Sequence, residues 1–109
     1  MKTLIIAALA AAPLIAGDAQ LAGVIKSGQR AAALELIAKK SADVNAAEAD
    51  GSTPLLWAAN LNDTDLVSRL LTAGANPNVR NQLGSTPLAE AAFSTNTAMV
   101  KVLLDADIH

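Results

Sequence analysis

The chain has 109 residues, of which 52% are hydrophobic and 17% are charged, so it can build one domain around one core and is not a disordered tail. Its formal net charge of −2 provides neither a basic field for phosphate backbones nor an acidic tract, which argues against nucleic acid as a partner. Cysteine is absent, which excludes disulfides, thiolate metal sites and cysteine nucleophiles.

The N-terminal segment has the pattern of a secretory signal peptide. Lys2 is followed by an apolar run over residues 4–12 and by small residues at Gly17 and Ala19. The run is too short to cross a hydrocarbon core of about 30 Å. We therefore expect a bacterial-type signal peptide over residues 1–19, export to the periplasm or medium, and no membrane attachment after cleavage. The alternative is an N-terminal helix that packs on the rest of the fold as a cap.

Residues 20–49 are predicted to form an irregular first unit of two short helices. A break at Ser27-Gly28 separates two groups of apolar side chains at helical spacing. These side chains are Leu21, Val24, Ile25, Ala33, Leu34 and Ile37. The unit closes on residues 42–45, and a one-residue insertion around Lys39-Lys40 would align both of its ends with the unit that follows.

The next two segments, residues 50–82 and 83–109, are copies of one another. The sequence Gly-Ser-Thr-Pro-Leu at residues 51–55 recurs at residues 84–88, an offset of 33, and an Ala-Ala pair follows each copy. The same offset carries Val67 onto Val100 and Leu70-Leu71 onto Leu103-Leu104. A fixed period of this length implies stacked repeats that bury one shared core.

Each copy has the start and stop signals of two consecutive helices. In the second unit Thr53 is expected to cap a helix that begins at Pro54, where a missing N–H costs nothing. Asp63 and Asp65 open the next helix, and Gly74 ends it. The third unit repeats this plan. Two interpretations stay open for it: its polar residues make it a natural cap, or the chain is a piece of a longer array.

The period of 33 and the Thr-Pro-Leu core resemble ankyrin repeats over residues 42–109. The resemblance implies an all-α ankyrin-repeat solenoid of about three stacked helix-turn-helix units, at about residues 20–49, 50–82 and 83–109, with hairpin connections. Residues 48–51 and 81–84 would form the hairpin tips, each with a glycine in last place. The chain departs from the family where histidine usually follows Thr-Pro-Leu, because Leu56 and Ala89 stand there.

The sequence offers no arrangement of residues suited to catalysis. His109, the only histidine, is the final residue, where backbone mobility would blur the geometry that a ligand or base must hold. No metal-ligand, nucleophile or phosphate-loop motif occurs. Asp63 and Asp65, with Glu48 or Asp50, are interpreted as solvated turn and helix residues because no ligand-spaced loop accompanies them. We expect no enzyme activity, no cofactor and no metal.

The resemblance also implies a binding face on the concave side of the array. Trp57 and Glu90 occupy equivalent positions on the first helices of neighbouring units, and a large ring beside a carboxylate is a plausible anchor for a partner. The alternative is that Trp57 packs as partly buried core. The hairpin residues expected to complete the surface are Glu48, Asp50, Ser52, Arg80, Asn81, Gln82, Leu83 and Ser85.

These expectations together describe a monomeric, non-enzymatic scaffold that binds a protein partner. Two alternatives stay open. In the first, the protein regulates an exported enzyme or assists its maturation. In the second, it is a truncated piece of a longer ankyrin array, and its exposed third-unit face docks onto further repeats or onto a second copy.

Overall fold

The computed structural model describes residues 20–40 and 42–108, and within these residues it contains six helices and no strand. The predicted signal peptide, residues 1–19, lies outside the described residues. The helices are α1 Gln20–Lys26, α2 Arg30–Ala38, α3 Pro54–Asn60, α4 Thr64–Thr72, α5 Pro87–Phe93 and α6 Thr97–Ile108. In the part of the chain that is described, none of these helices is both long and apolar enough to cross a membrane.

The first helix of each of the two regular units begins as the sequence predicts. The Thr53 hydroxyl accepts a hydrogen bond from the Leu56 amide at 3.3 Å, and the Thr86 hydroxyl accepts one from the Ala89 amide at 3.1 Å. Proline follows each threonine at the start of the helix, where its missing N–H leaves no bond unmade. The repeated Thr-Pro therefore fixes where α3 and α5 begin.

The second helices are capped by side chains that accept hydrogen bonds. Asp63 Oδ1 accepts from the Leu66 amide at 3.1 Å and Asn96 Oδ1 from the Met99 amide at 3.0 Å. The residue before each cap, Asn62 or Thr95, has a positive φ of 63° or 55°. This left-handed residue makes the tight turn that folds α4 and α6 back against α3 and α5.

The extra residue of the first unit lies next to the Lys39-Lys40 pair. Lys40 has φ 55° after α2, as Gly74 has φ 101° after α4. Asp43 Oδ1 accepts from the amide two residues on at 2.8 Å, as Asn76 Oδ1 does at 2.9 Å. Three steps separate Lys40 from Asp43 and two separate Gly74 from Asn76, so the insertion follows Lys40.

The helices pack in two layers around one core. α1, α3 and α5 lie side by side in one layer, and α2, α4 and α6 form the second. Small and aliphatic side chains fill the space between them, which lets the helices approach closely. The buried hydrophobic residues include Leu21, Ile25, Ala33, Leu55, Ala58, Ala59, Leu66, Val67, Leu70, Ala91, Met99 and Leu103.

The face of the third unit that points away from the second is partly apolar. Leu55 of the second unit is 0% exposed, whereas its equivalent Leu88 is 37% exposed. Leu104 is 45% exposed and Phe93 is 92% exposed. The polar residues Ser94, Thr97 and Lys101 therefore share this end of the stack with several exposed apolar side chains.

Candidate functional site

One pocket lies where the second and third units meet, between α3, α5 and the turns that precede them. It has a volume of about 180 Å³, and we call it the Trp57 pocket. Seven of the ten predicted binding residues line it. Its complete lining is Asp50, Ser52, Leu56, Trp57, Asn60, Asn81, Leu83, Ser85 and Glu90.

The two turns beside the pocket have the predicted hairpin-tip geometry. The Glu48 amide donates to the Ser52 carbonyl at 2.8 Å, and the Asn81 amide donates to the Ser85 carbonyl at 3.1 Å. Gly51 and Gly84 close the turns with φ values of 87° and 84°. The Gln82 amide donates to the Asp50 carbonyl at 2.8 Å, which joins one turn to the next. This bond holds the pocket's two turns in register.

Trp57 is partly buried and forms one wall of the pocket. Its indole Nε1 donates to Glu48 Oε1 at 2.8 Å, and Lys26 Nζ lies 5.3 Å from the centre of the ring. The carboxylate that holds the indole is therefore Glu48, while Glu90, the carboxylate at the equivalent repeat position, lines the same pocket as Trp57. Trp57 is thus partly buried, as the core interpretation expects, and its ring also lines the pocket.

Glu90 is held in the pocket by neutral hydrogen-bond donors. Asn60 Nδ2 donates to Glu90 Oε1 at 3.1 Å, and Ser85 Oγ donates to Glu90 Oε2 at 3.0 Å. Both donors also line the pocket. Neither donor carries a charge, so these bonds orient the carboxylate without neutralising it.

Asp50 and Asn81 organise the turn side of the pocket. The Ser52 amide donates to Asp50 Oδ1 at 2.9 Å, and this bond is the main reason that the pKa of Asp50 lies below its ordinary value. Asn81 Oδ1 accepts from the amides of Leu83 and Ser85, each at 3.0 Å. Asn81 Nδ2 donates to Ser52 Oγ at 3.1 Å. Polar side chains thus tie the two turns together.

Several predicted residues do not behave as freely exposed binding groups. Ser52 is only 1% exposed, contrary to its expected place on the surface, so its role there is to accept the bond from Asn81. Glu48 holds the indole instead of lining the pocket. Gln82 Nε2 donates to the Ala49 carbonyl at 3.3 Å, and Arg80 is exposed outside the lining. Leu83 is 87% exposed at the rim of the pocket.

Two lining residues were missed from the sequence. Asn60 lies three positions after Trp57 on α3, and the helical spacing alone places both on one face. Leu56 occupies the position where histidine was expected, and it contributes an apolar surface that is 4% exposed. Asn60 could therefore have been predicted from the helical period.

Two wider depressions lie on the other side of the molecule, between α2 and α4. Their volumes are about 470 and 410 Å³, and both are lined by Ile37, Lys40, Thr72 and Ala73. Their charged lining residues are Lys40, Arg69 and Asp43, and none of the predicted binding residues reaches them. Within the described residues, no group of three or more His, Cys, Asp or Glu is placed to hold a metal ion.

The stacked helix pairs and the turns that project beside them define a helical repeat protein, a class in which neighbouring units build one continuous core and one extended surface. The family model described as "Ankyrin repeats (3 copies)" matches residues 21–109. The chain therefore belongs to the ankyrin-repeat family, whose repeats generally mediate protein–protein interaction.

Proposed function

We propose that the protein is a monomeric, non-enzymatic scaffold that binds a partner protein on the concave face of the array, with the Trp57 pocket as part of the contact. The single observation that carries this proposal is the convergence of an aromatic ring, two carboxylates and an exposed leucine at one junction between units. Aromatic side chains surrounded by polar groups are typical centres of protein interfaces.

The hydrogen bonds around the pocket support this role because they fix its side chains before a partner arrives. Trp57 is held by Glu48, and Glu90 is held by Asn60 and Ser85. Ordering a side chain at an interface costs about 0.5–1.5 kcal/mol. A surface that is already ordered avoids much of this cost, so more of the contact energy remains as affinity.

A photo-crosslinking experiment tests the proposal. A benzophenone amino acid replaces Leu83, which is 87% exposed at the pocket rim, and a matched variant carries it at Glu35 on α2, whose side chain is 63% exposed. Illumination in extracts of the producing cell and in its exported fraction should give a discrete protein adduct from position 83 and none from position 35. The captured protein is then purified and its affinity for the untagged chain is measured. Equal capture at both positions, or none at position 83, would contradict the proposal.

The exposed apolar face of the third unit favours a second candidate function, self-association through that face. Leu88, Leu104 and Phe93 would become buried if that face docked onto a second copy of the chain. Light scattering over a wide concentration range distinguishes the candidates, because a constant monomer mass favours the scaffold acting alone.

We also propose that residues 1–19 direct export and are then removed, which would place the scaffold in the periplasm or outside the cell. The charged, apolar and small-residue pattern of the segment supports this location. N-terminal sequencing of protein recovered from the exported fraction checks it, since an intact Met1 would refute cleavage.

A further inference from the structure

The size of the Trp57 pocket limits what it can receive. Its volume of about 180 Å³ is below the roughly 300–1,000 Å³ of pockets that enclose drug-sized ligands. It lies open beside two projecting turns, within reach of a long side chain from a partner's surface. A single side chain is therefore a better match in size than a free cofactor or metabolite.

The charge of the lining has one sign. Asp50 and Glu90 are its only ionisable residues, and the lining contains neither lysine nor arginine. Glu90 is hydrogen-bonded by two neutral groups, and Asp50 is hydrogen-bonded by a backbone amide. Lys26 Nζ lies 5.3 Å from the centre of the Trp57 ring, but Lys26 does not line the pocket, so the charged groups of the lining itself are all carboxylates.

Besides a positive charge, the lining favours a ligand that can stack on an aromatic ring and that has an apolar stem. The Trp57 ring already attracts a cation, since Lys26 Nζ lies 5.3 Å from its centre. Leu56 and Leu83 provide aliphatic surface next to the carboxylates. A side chain that fits all of these groups has an apolar stem and a planar cationic end that can stack on a ring and donate several hydrogen bonds. Arginine has these properties, whereas the lysine ammonium is a strongly hydrated point charge.

We infer that the Trp57 pocket receives an arginine side chain of the partner protein, with its guanidinium between Glu90, Asp50 and the Trp57 ring and its stem along Leu83. This inference rests on the proposed function and specifies the chemistry of the partner. The partner surface therefore presents a protruding arginine to the junction of the second and third units.

Trp57 is the only tryptophan of the chain, so its fluorescence reports directly on this pocket. The probe is a capped pentapeptide with arginine at its centre and alanine elsewhere, compared with the same peptide carrying citrulline, which keeps the shape and loses the charge. The arginine peptide should give a saturable change in fluorescence with a dissociation constant of about 1 mM, which corresponds to −4.1 kcal/mol. The citrulline peptide should bind about tenfold more weakly. A lysine peptide should lie between the two.

Two charge variants locate the binding. Glu90→Gln keeps the size of the side chain and should weaken the arginine peptide about tenfold. Glu35→Gln, the same change on α2, should leave the dissociation constant unchanged, and far-UV circular dichroism verifies that both variants fold. No saturable change with the arginine peptide, an equal response to citrulline, or equal loss in the two variants would overturn the inference.

The outcomes of this experiment and of the crosslinking experiment are separable. A protein captured at position 83, together with indifference to the arginine peptide, would leave the scaffold function standing and remove arginine as its ligand. Arginine-specific binding without any captured protein would contradict the scaffold function while leaving the chemistry of the pocket established.

Discussion

At the scale of single residues, the pocket is built from residues at equivalent positions of consecutive units that make different contacts. Trp57 and Glu90 share one repeat position, yet one provides an aromatic wall and the other a charge. Ser52 and Ser85 also share one position, but Ser52 Oγ accepts a bond from Asn81 while Ser85 Oγ donates to Glu90. The repeat therefore fixes where these side chains lie, and their individual neighbours decide what they do.

Alanine substitutions at the two hairpin glycines should destabilise the fold to different extents. Gly51 and Gly84 have nearly the same φ, but a Cβ on Gly51 would lie 3.2 Å from Asn81 Cα, whereas a Cβ on Gly84 would meet nothing within 4 Å. Gly84→Ala should cost about 1–2 kcal/mol for the left-handed backbone alone. Gly51→Ala should cost at least about 1 kcal/mol more, because the backbone of the neighbouring turn must move.

Urea unfolding of both alanine variants measures these differences. Gly51→Ala should also weaken binding in the Trp57 pocket, since the added Cβ would displace Asn81 of the lining, whereas Gly84→Ala, whose Cβ meets no atom within 4 Å, should weaken it less. Equal losses of stability in the two variants would mean that the close approach between the turns contributes nothing.

At the scale of elements, ion pairs and side-chain amides connect each second helix to its neighbouring unit. Arg30 at the start of α2 donates to Asp63 at 2.6 Å and to Asp65 at 2.7 Å, both at the start of α4. One unit further on, Asn96 Nδ2 donates to Asn62 Oδ1 at 2.7 Å and to Thr64 Oγ1 at 2.9 Å. The ends of consecutive helices are thus tied together by different chemistry at each interface.

The charged interface makes stability depend on pH. The Arg30 hydrogen bond holds the pKa of Asp63 below its ordinary value, and the Leu66 amide acts in the same direction. A carboxyl whose pKa is lower in the folded protein stabilises the fold above its unfolded pKa of about 3.9. That contribution is lost as the pH falls from about 3.9 through the lower folded value.

The variant Arg30→Gln tests this dependence. The wild-type protein should be more stable than the variant at pH 7, and the difference should shrink as the pH falls below about 4. Urea midpoints measured from neutral pH to about pH 2 give the curve. Lys39→Gln, which removes the exposed pair with Glu35 on α2, should show no comparable difference. A gap between wild type and Arg30→Gln that stays constant down to about pH 2 would contradict the role of the ionised Asp63.

At the scale of the whole molecule, the 33-residue period and the repeated Thr-Pro were sufficient to predict the helices of the two regular units and the threonine caps of α3 and α5. It was not sufficient for contacts between loops and helices. The bond from Trp57 to Glu48 joins a turn to a helix nine positions away, and no periodic pattern encodes that distance. The burial of Ser52 was equally hard to predict, because serine at a turn is usually exposed, whereas here Ser52 is 1% exposed and is hydrogen-bonded by Asn81 of the neighbouring turn.

The position of each unit in the stack decides how much an equivalent residue contributes to stability. Leu55 and Leu88 follow the same Thr-Pro in consecutive units, but Leu55 is 0% exposed between two neighbours while Leu88 is 37% exposed on the third unit. Leu55→Ala removes side-chain volume from a closed core and should cost about 2–5 kcal/mol. Leu88→Ala leaves a site that water already reaches and should cost less than half as much.

Urea unfolding of the two leucine variants at low and high protein concentration measures the difference and also tests the second candidate function. In an isolated monomer the small effect of Leu88→Ala should be the same at both concentrations. If a second copy covers the third-unit face, Leu88 is buried only in the dimer, so the effect of Leu88→Ala should grow with protein concentration toward that of Leu55→Ala. Equal and concentration-independent losses in both variants would contradict the difference in burial that the stacked array gives these two leucines.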